Sequence, residues 1–190
     1  MCAQIDIKTE LVEALVKLYH NDLSLIRRKC CERSIVFRLG HYLVNSIEEY
    51  NLDVDCEYNK RGDDPKSLTK SKYNYPDLIV HKRETNESNL LVVEVKTTND
   101  AKVEHFENDR YKLKDFTSKD PYLYKWGVHL YISVTVCSMV WWQNGQAVQK
   151  VHYQVKKDTH DLEQVDGDLK KPPRFEKWYI NNVPMQLKMR

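Results

Sequence analysis

One short segment restricts the fold more than any other: an apolar run, residues 90–93, that continues directly into Glu94, Val95 and Lys96. A continuous run of apolar and β-branched residues of this length is typical of a buried strand. Because side chains alternate between the two faces of a strand, Glu94 and Lys96 project from the same face, while Val95 points to the other. A carboxylate and an ammonium group are therefore expected side by side at the end of a buried strand.

A second strand is predicted to pair with this one as a hairpin. It covers residues 77–81, and the polar residues 84–89 form the turn between the two strands. Positions 77 and 94 lie at equal distances from the centre of that turn, so an unslipped hairpin places Asp77 directly opposite Glu94, with Cβ atoms about 5 Å apart. Two carboxylates that close repel each other unless they share a proton or bind a cation. Oxygen ligands favour Mg²⁺ or Mn²⁺ over Zn²⁺.

A long amphipathic helix is predicted before the strands, from about residue 22 towards residue 50. Its apolar side chains form one stripe at 3.6 residues per turn. The stripe consists of Leu25, Ile35, Val36, Leu39, Leu43 and Ile47. Glu32 lies inside this stripe, so its carboxylate is expected to face the interior, where a positive group must meet it. A structural salt bridge with Arg28 or Arg33 explains Glu32 equally well when that residue is taken alone.

The remaining segments alternate between helical and extended patterns. They are a helix at 9–20, a strand at 52–58, a helix from Asp100 to Thr117, an extended segment at 128–136, a hairpin turning at Asn144-Gly145, a charged loop at 156–173 and a short element at 175–180. Together they predict an α/β fold of the mixed α+β kind, with a central mixed sheet flanked by helices.

Length and composition favour a single globular domain over residues 1–190. Charged residues make up 31% of the chain and hydrophobic residues 41%, with a net charge of +2, as in water-soluble proteins. No segment is apolar over the length needed to span a bilayer, and residues 1–7 lack a leader pattern, so we expect a cytoplasmic protein that does not bind membranes. The five cysteines form no C-x-x-C pair, which argues against a disulfide framework and against a zinc site.

Residues 59–72 form a predicted loop that is rich in basic side chains. These are Lys60, Arg61, Lys66, Lys70 and Lys72. Because the loop directly precedes Asp77 in the chain, we expect it to contact the phosphates of a nucleic acid near the acidic pair. An ordinary solvated surface loop explains the same composition.

Pro76-Asp77 followed by Glu94-Val95-Lys96 at the end of an apolar strand resembles the motif of the PD-(D/E)XK nuclease superfamily. The predicted order of elements, a helix, three strands, a helix and a strand, is similar to the αβββαβ core of this restriction endonuclease-like superfamily. The resemblance covers about residues 23–136 and leaves 137–190 as a C-terminal extension.

The resemblance implies a phosphodiesterase that depends on Mg²⁺ or Mn²⁺. Asp77 and Glu94 would bind the metal together with the backbone carbonyl of Val95, and Glu32 would join directly or through water. Lys96 would orient the attacking water or help to deprotonate it, and would screen the developing charge. The expected products carry a 5′-phosphate and a 3′-hydroxyl.

Several functions remain open at this point. A DNA endonuclease that acts on duplex DNA, in a homodimer, is the favoured interpretation. A nucleic-acid-binding module that keeps the fold without turnover is the first alternative. An RNA-directed endonuclease similar to the cap-snatching enzymes of segmented viruses is the second, although those enzymes typically carry a histidine where this chain has Glu32. Taken singly, Asp77 also fits a turn residue, and Glu94 with Lys96 fits an exposed ion pair.

Overall fold

The computed structural model describes residues 5–58, 60–61, 64–65, 75–85, 88–98 and 103–165. In chain order the elements are α1 (Ile7–Arg27), α2 (Glu32–Ile47) with a 3₁₀ turn (Glu48–Tyr50), β1 (Asp53–Cys56), β2 (Lys60–Arg61), β3 (Asp64–Pro65), β4 (Leu78–His81), β5 (Leu91–Thr97), α3 (Val103–Ser118), β6 (Trp126–Ile132), β7 (Val136–Gln143), β8 (Gln146–Val155) and β9 (Leu162–Val165). Among these described helices, none is both long and apolar enough to cross a membrane.

Seven of the described strands form one mixed sheet in the order β1-β4-β5-β6-β7-β8-β9, and β2 pairs separately with β3. Strands β5 and β6 run parallel because α3 carries the chain back between them, while the other described neighbours run antiparallel. The predicted fold class is therefore confirmed. The predicted order of a helix, three strands, a helix and a strand corresponds to α2, β1, β4, β5, α3 and β6, with the two-residue strands β2 and β3 outside it.

The β4–β5 hairpin has the predicted register. Leu78 pairs with Val93 and Val80 pairs with Leu91. One further step of the same register places position 77 opposite position 94, at the end where β4 begins.

Strand β5 lies between two apolar cores. Val93 and Val95 belong to the larger core, which packs against α1 and α2. Val92 belongs to the smaller core, which packs against α3. The alternation places Glu94 and Lys96 on the α3 side, as the period of two predicts.

The helical prediction ahead of the sheet is wrong in part. Helix α1 begins at Ile7 behind the N-cap Asp6 and has a kink at the non-helical Asp22, where the second helix was predicted to begin. It then continues only to Arg27, so Leu25 belongs to α1 and is separated from α2. The chain then breaks at Lys29, which has a left-handed φ of 54°. No Gly or Pro marks this break, and the apolar periodicities of the two helices merge across it.

The extended segment predicted for residues 128–136 is also two strands and not one. Ser133 forms the turn between β6 and β7: its hydroxyl donates to the carbonyl of Val136 at 2.9 Å and accepts from the amides of Thr135 and Val136 at 3.3 and 3.0 Å. Apolar residues alternate through both strands, so the periodicity hides this turn.

The next hairpin turns where predicted, since Asn144 and Gly145 have φ values of 50° and 76°, as a type I′ turn requires. The loop predicted for residues 156–173 is wrong in part, because β9 (Leu162–Val165) pairs with β8. The short element predicted at 175–180 lies outside the described residues.

Candidate active site

Two acids, Asp77 and Glu94, stand opposite each other at the start of the β4–β5 hairpin. Asp77 accepts a hydrogen bond from the backbone amide of Val95 at 2.6 Å. Glu94 is 0% exposed, and its Oε2 accepts from Nζ of Lys112 at 2.8 Å. Its Oε1 is buried and has no hydrogen-bond partner among the described residues. A buried carboxylate oxygen in this condition is costly unless an ion or ligand meets it.

The electrostatic environment works against ionisation of both acids. Burial raises the pKa of Glu94 well above its usual value, and the charge of Lys112 lowers it only in part. Burial also raises the pKa of Asp77, against the opposing effects of Lys96 and the Val95 amide. A cation bound by the two carboxylates would favour their ionised forms and so lower both pKa values.

Lys96 lies beside the acids and is 6% exposed. Its Nζ is 2.9 Å from Oδ2 of Asp109 and 3.6 Å from Oε1 of Glu32. It also donates to the carbonyl of Val95 at 3.0 Å. The ammonium group therefore connects β5 to α3 on one side and to α2 on the other.

Lys96 stays protonated near neutral pH. Burial lowers the pKa of Lys96, but the carboxylates of Asp109, Glu32 and Asp77 outweigh that effect and hold it above its usual value. In this environment the side chain donates hydrogen bonds and offsets negative charge, whereas removal of its proton is disfavoured.

Glu32 is placed differently from the prediction. It is the first residue of α2, behind the N-cap Cys31, and its side chain is 28% exposed. The carboxylate is therefore partly exposed and not fully enclosed in the interior. The expected positive group is present, since Glu32 meets Lys96, while the ion pair of Arg33 goes to Glu57.

Three residues that the sequence analysis did not identify extend the cluster: Asp109 and Lys112 of α3, and His129 of β6. Oδ2 of Asp109 is 3.5 Å from Nε2 of His129, and Nζ of Lys112 is 3.9 Å from Oδ1 of Asp109. Burial raises the pKa of Asp109, but His129 and the neighbouring lysines outweigh it and hold the pKa at about 2. Asp109 is therefore a fixed negative charge.

A sequence signal for Asp109 exists. It lies three residues after Phe106 and four before Leu113, within the apolar face of α3. The reasoning that identified Glu32 inside an apolar stripe applies equally to Asp109. Lys112 has no comparable signal, because its role depends on how α3 packs on the sheet.

A cleft of about 490 Å³ opens beside the acids. It is bounded by the beginning of α2, the end of β1 and the segment that leads into β4. Its described lining consists of Glu32, Arg33, Val36, Cys56, Glu57, Tyr75 and Asp77. A solvent-borne ligand can therefore reach Asp77 and Glu32 directly.

The donor set suits a hard divalent cation. Two carboxylates and the Val95 carbonyl supply oxygen ligands, and Oε1 of Glu94 has spare acceptor capacity. Among the described residues there is no group of three or more His, Cys, Asp or Glu side chains arranged to hold a metal. A metal here would therefore depend on the peptide oxygen and on water for its further ligands, as Mg²⁺ commonly does.

The predicted phosphate-binding residues cannot be assigned to the site. Lys60 and Arg61 form β2, and nothing is described of their side chains. Lys66, Lys70 and Lys72 lie outside the described residues. Their role in binding stays a prediction.

Comparisons with known proteins give little further information. No protein-family model matches the chain, and no curated protein sequence matches it. Among solved structures, the chain resembles part of a cryo-electron microscopy structure of a DrdV–DNA complex, with a TM-score of 0.46 and 18% sequence identity. The match covers 74% of this chain and 12% of that chain, so this chain corresponds to a small part of that protein. At this level the similarity carries no conclusion about function.

Proposed function

We propose that this protein is a metal-dependent nuclease that hydrolyses phosphodiester bonds, with DNA as its substrate. One observation carries the proposal: Asp77 lines an open cleft, and the adjacent strand places two buried groups beside it. These are Glu94, which has a buried oxygen without a hydrogen-bond partner among the described residues, and Lys96, whose ammonium group interacts with the Asp77 carboxylate. Acids held above their usual pKa beside a cleft are typical of sites that bind metals or perform catalysis.

Asp77, Glu94 and the Val95 carbonyl would hold the metal. Bound there, a divalent cation would supply positive charge for the phosphate and acidify water. Lys96 would place its ammonium group beside the phosphate oxygens and stabilise the charge that develops on them. Its ion pair with Asp109 fixes this position. Because Lys96 has a raised pKa, we assign it charge stabilisation and not proton removal.

Glu32 would act from the rim of the cleft. Its partly exposed carboxylate can accept a hydrogen bond from the attacking water, while Lys96 holds it in place at 3.6 Å. Glu32 would thus orient the nucleophile on the solvent side of the phosphate.

The test compares the wild-type protein with Asp77→Asn and with Asp158→Asn, in which an exposed acid far along the chain is changed. Labelled duplex DNA, single-stranded DNA and RNA are incubated with Mg²⁺, Mn²⁺ or EDTA. We expect DNA cleavage by the wild type and by Asp158→Asn with either metal. The cleavage rate of Asp77→Asn should be more than about 100-fold lower than that of the wild type. Residues that only hydrogen-bond to metal ligands typically cost less than this when they are replaced.

Circular dichroism establishes that Asp77→Asn is folded. Cleavage that persists in EDTA, or in folded Asp77→Asn, would reject the metal-dependent mechanism. Cleavage of RNA alone would keep the mechanism and change the substrate.

One observation favours a second candidate, a nucleic-acid-binding module without turnover. The ammonium groups of Lys112 and Lys96 already meet Glu94 and the Val95 carbonyl, which are the oxygen atoms that a metal would use. Under this alternative, the wild type binds DNA without cleaving any substrate, and Mg²⁺ does not change its thermal stability.

A further inference from the structure

A second depression adjoins the candidate cleft on the outer side of α2. It has a volume of about 340 Å³ and is lined by Leu25, Arg33, Ser34, Phe37 and Arg38. Arg33 also lines the candidate cleft, so the two depressions meet at this side chain. We call the second depression the Phe37 groove.

Phe37 has no packing role that explains its presence. Its neighbours Val36 and Leu39 are buried against the sheet, whereas Phe37 is 64% exposed. A polar residue at this position would leave the core of α2 unchanged. A single exposed ring is common on protein surfaces, so the inference depends on the charged groups around Phe37 and on the cleft beside it.

Two arginines, Arg33 and Arg38, line the groove together with Phe37. The guanidinium of Arg38 is fixed by Asp22, whose Oδ2 accepts from its Nε at 2.7 Å. The side chain of Arg33 is 82% exposed and pairs with Glu57 at the surface. Surface ion pairs of this kind contribute little, so a phosphate can take the place of the Glu57 carboxylate.

The turn between α1 and α2 extends this basic surface. Arg27, Arg28 and Lys29 are exposed there, and Arg27 contacts His160 at 3.3 Å. Acids near this surface have basic partners of their own: Asp22 pairs with Arg38, Glu32 with Lys96, Glu57 with Arg33 and Asp161 with His20. In a nucleic-acid strand, each nucleotide carries one phosphate and one flat base. The base can stack on an aromatic ring while the phosphates contact the nearby cations, which matches the groups found here.

We propose that the Phe37 groove binds an unstacked base of single-stranded nucleic acid, with its phosphates on Arg33 and on the α1–α2 turn. The base stacks on Phe37, and the strand continues past Arg33 into the candidate cleft. The role of the groove in cleavage rests on the proposed nuclease function, whereas the binding itself does not. The substrate class that follows is a single strand, or a duplex with a single-stranded end, because bases inside a duplex present no free face.

Binding is measured by fluorescence anisotropy with a fluorescein-labelled single-stranded oligonucleotide and with the matching duplex. The full-length protein carries Asp77→Asn, and EDTA is present, so that no cleavage interferes. Phe37→Ala should weaken single-strand binding by about tenfold, in the range expected for the loss of one base–aromatic stack. Phe37→Trp should retain binding, and duplex affinity should change little in either variant.

Leu123→Ala provides the matched control, since Leu123 is a similarly exposed apolar side chain at 54%. It should bind like the parent protein. Arg33→Ala should also weaken single-strand binding. Its charge control is Lys125→Ala, which removes an exposed cation at the end of β6 away from Lys96 and should bind like the parent protein. Thermal melts establish that each variant is folded.

Equal affinity in Phe37→Ala, or an equal loss on the duplex, would overturn the proposal. A shift from dimer to monomer in Phe37→Ala, seen by light scattering without an oligonucleotide, would instead assign the groove to a second copy of the chain and overturn it as well. Binding that depends on Phe37 in a wild type that cleaves nothing would reject the nuclease proposal alone. Cleavage with binding that does not depend on Phe37 would reject the groove alone.

Discussion

Two acids on the α3 side of the same sheet, the partly buried Asp55 and the fully buried Glu94, are paired in different ways. Asp55 of β1 accepts hydrogen bonds from His81 and from Nε of Arg83, both at 2.9 Å. Glu94 of β5 accepts from Lys112 through Oε2, while Oε1 has no hydrogen-bond partner among the described residues. Asp55 therefore has several hydrogen-bond donors, whereas one oxygen of the Glu94 carboxylate has no donor among the described residues.

The pKa values of the two acids differ accordingly. Burial raises the pKa of Asp55, but its bonds with His81 and Arg83 outweigh burial and hold the pKa below its usual value. Burial raises the pKa of Glu94 well above its usual value, and Lys112 does not restore it. The charge on Asp55 therefore stabilises the fold, while the charge on Glu94 destabilises it. A buried acid kept at a cost to stability indicates a function other than folding.

The largest expected effect comes from neutralising each acid in turn. Asp55→Asn should destabilise the protein by about 2 kcal/mol, because hydrogen bonds to a charged group are lost and buried His81 loses its anionic partner. Glu94→Gln should leave the stability unchanged or raise it, since the amide keeps the shape and an acceptor for Lys112 without the buried charge. Urea unfolding at neutral pH measures both.

A stability loss in Glu94→Gln as large as that in Asp55→Asn would mean that both groups are structural ion pairs. The comparison would then lose its functional meaning. The nuclease proposal would keep only the geometry of Asp77 and Lys96 as support.

The part of the site on β4 and β5 could be predicted from sequence because its rules are local. Strand alternation fixes Glu94 and Lys96 on one face, and equal spacing about the turn fixes Asp77 opposite Glu94. Asp109 and Lys112 reach the site only through the packing of α3 on the sheet. That packing depends on contacts between segments distant in the chain, which periodicity does not report.

Glu32 shows how a boundary error changes a site prediction. Treating α1 and α2 as separate helices moves Glu32 from the middle of a long helix to the first residue of α2, where its side chain is 28% exposed. The break occurs at Lys29, a residue type that seldom adopts a left-handed conformation. The sequence therefore indicated the correct partner charge and the wrong degree of burial.

The pH dependence of stability should also separate the two acids. The pKa of Glu94 in the folded protein lies above the unfolded value of about 4.3, so the folded state binds more protons than the unfolded state above that pH, and the contribution of Glu94 falls as pH rises. The pKa of Asp55 is lowered, so its contribution is present above about pH 4 and is lost as pH falls below that value.

Measured against the wild type, Glu94→Gln should become progressively more favourable as the pH rises above the unfolded pKa of a glutamate, because only the wild type then loses stability by ionising a buried acid. The deficit of Asp55→Asn should shrink as the pH falls below about 4. Urea unfolding at a series of pH values reports both trends. Parallel pH profiles for the wild type and Glu94→Gln would show that Glu94 has the same charge in the folded and unfolded states.

The smallest effect concerns Lys112, whose ammonium group and a metal would compete for Glu94. Lys112→Met removes a positive charge next to the acids. The repulsion between two unit charges about 4 Å apart in water is about 1 kcal/mol, so Mg²⁺ should bind roughly fivefold more tightly to the variant. Lys112→Arg keeps the charge and serves as the control. The concentration of Mg²⁺ that raises the melting temperature measures the change, since a ligand that binds the folded state stabilises it by mass action.

If Lys112→Met binds Mg²⁺ more weakly than the wild type, the lysine supports the metal site instead of competing for it. Glu94 would then resemble Asp55, whose charge is balanced by its neighbours, even though Oε1 of Glu94 has no hydrogen-bond partner among the described residues.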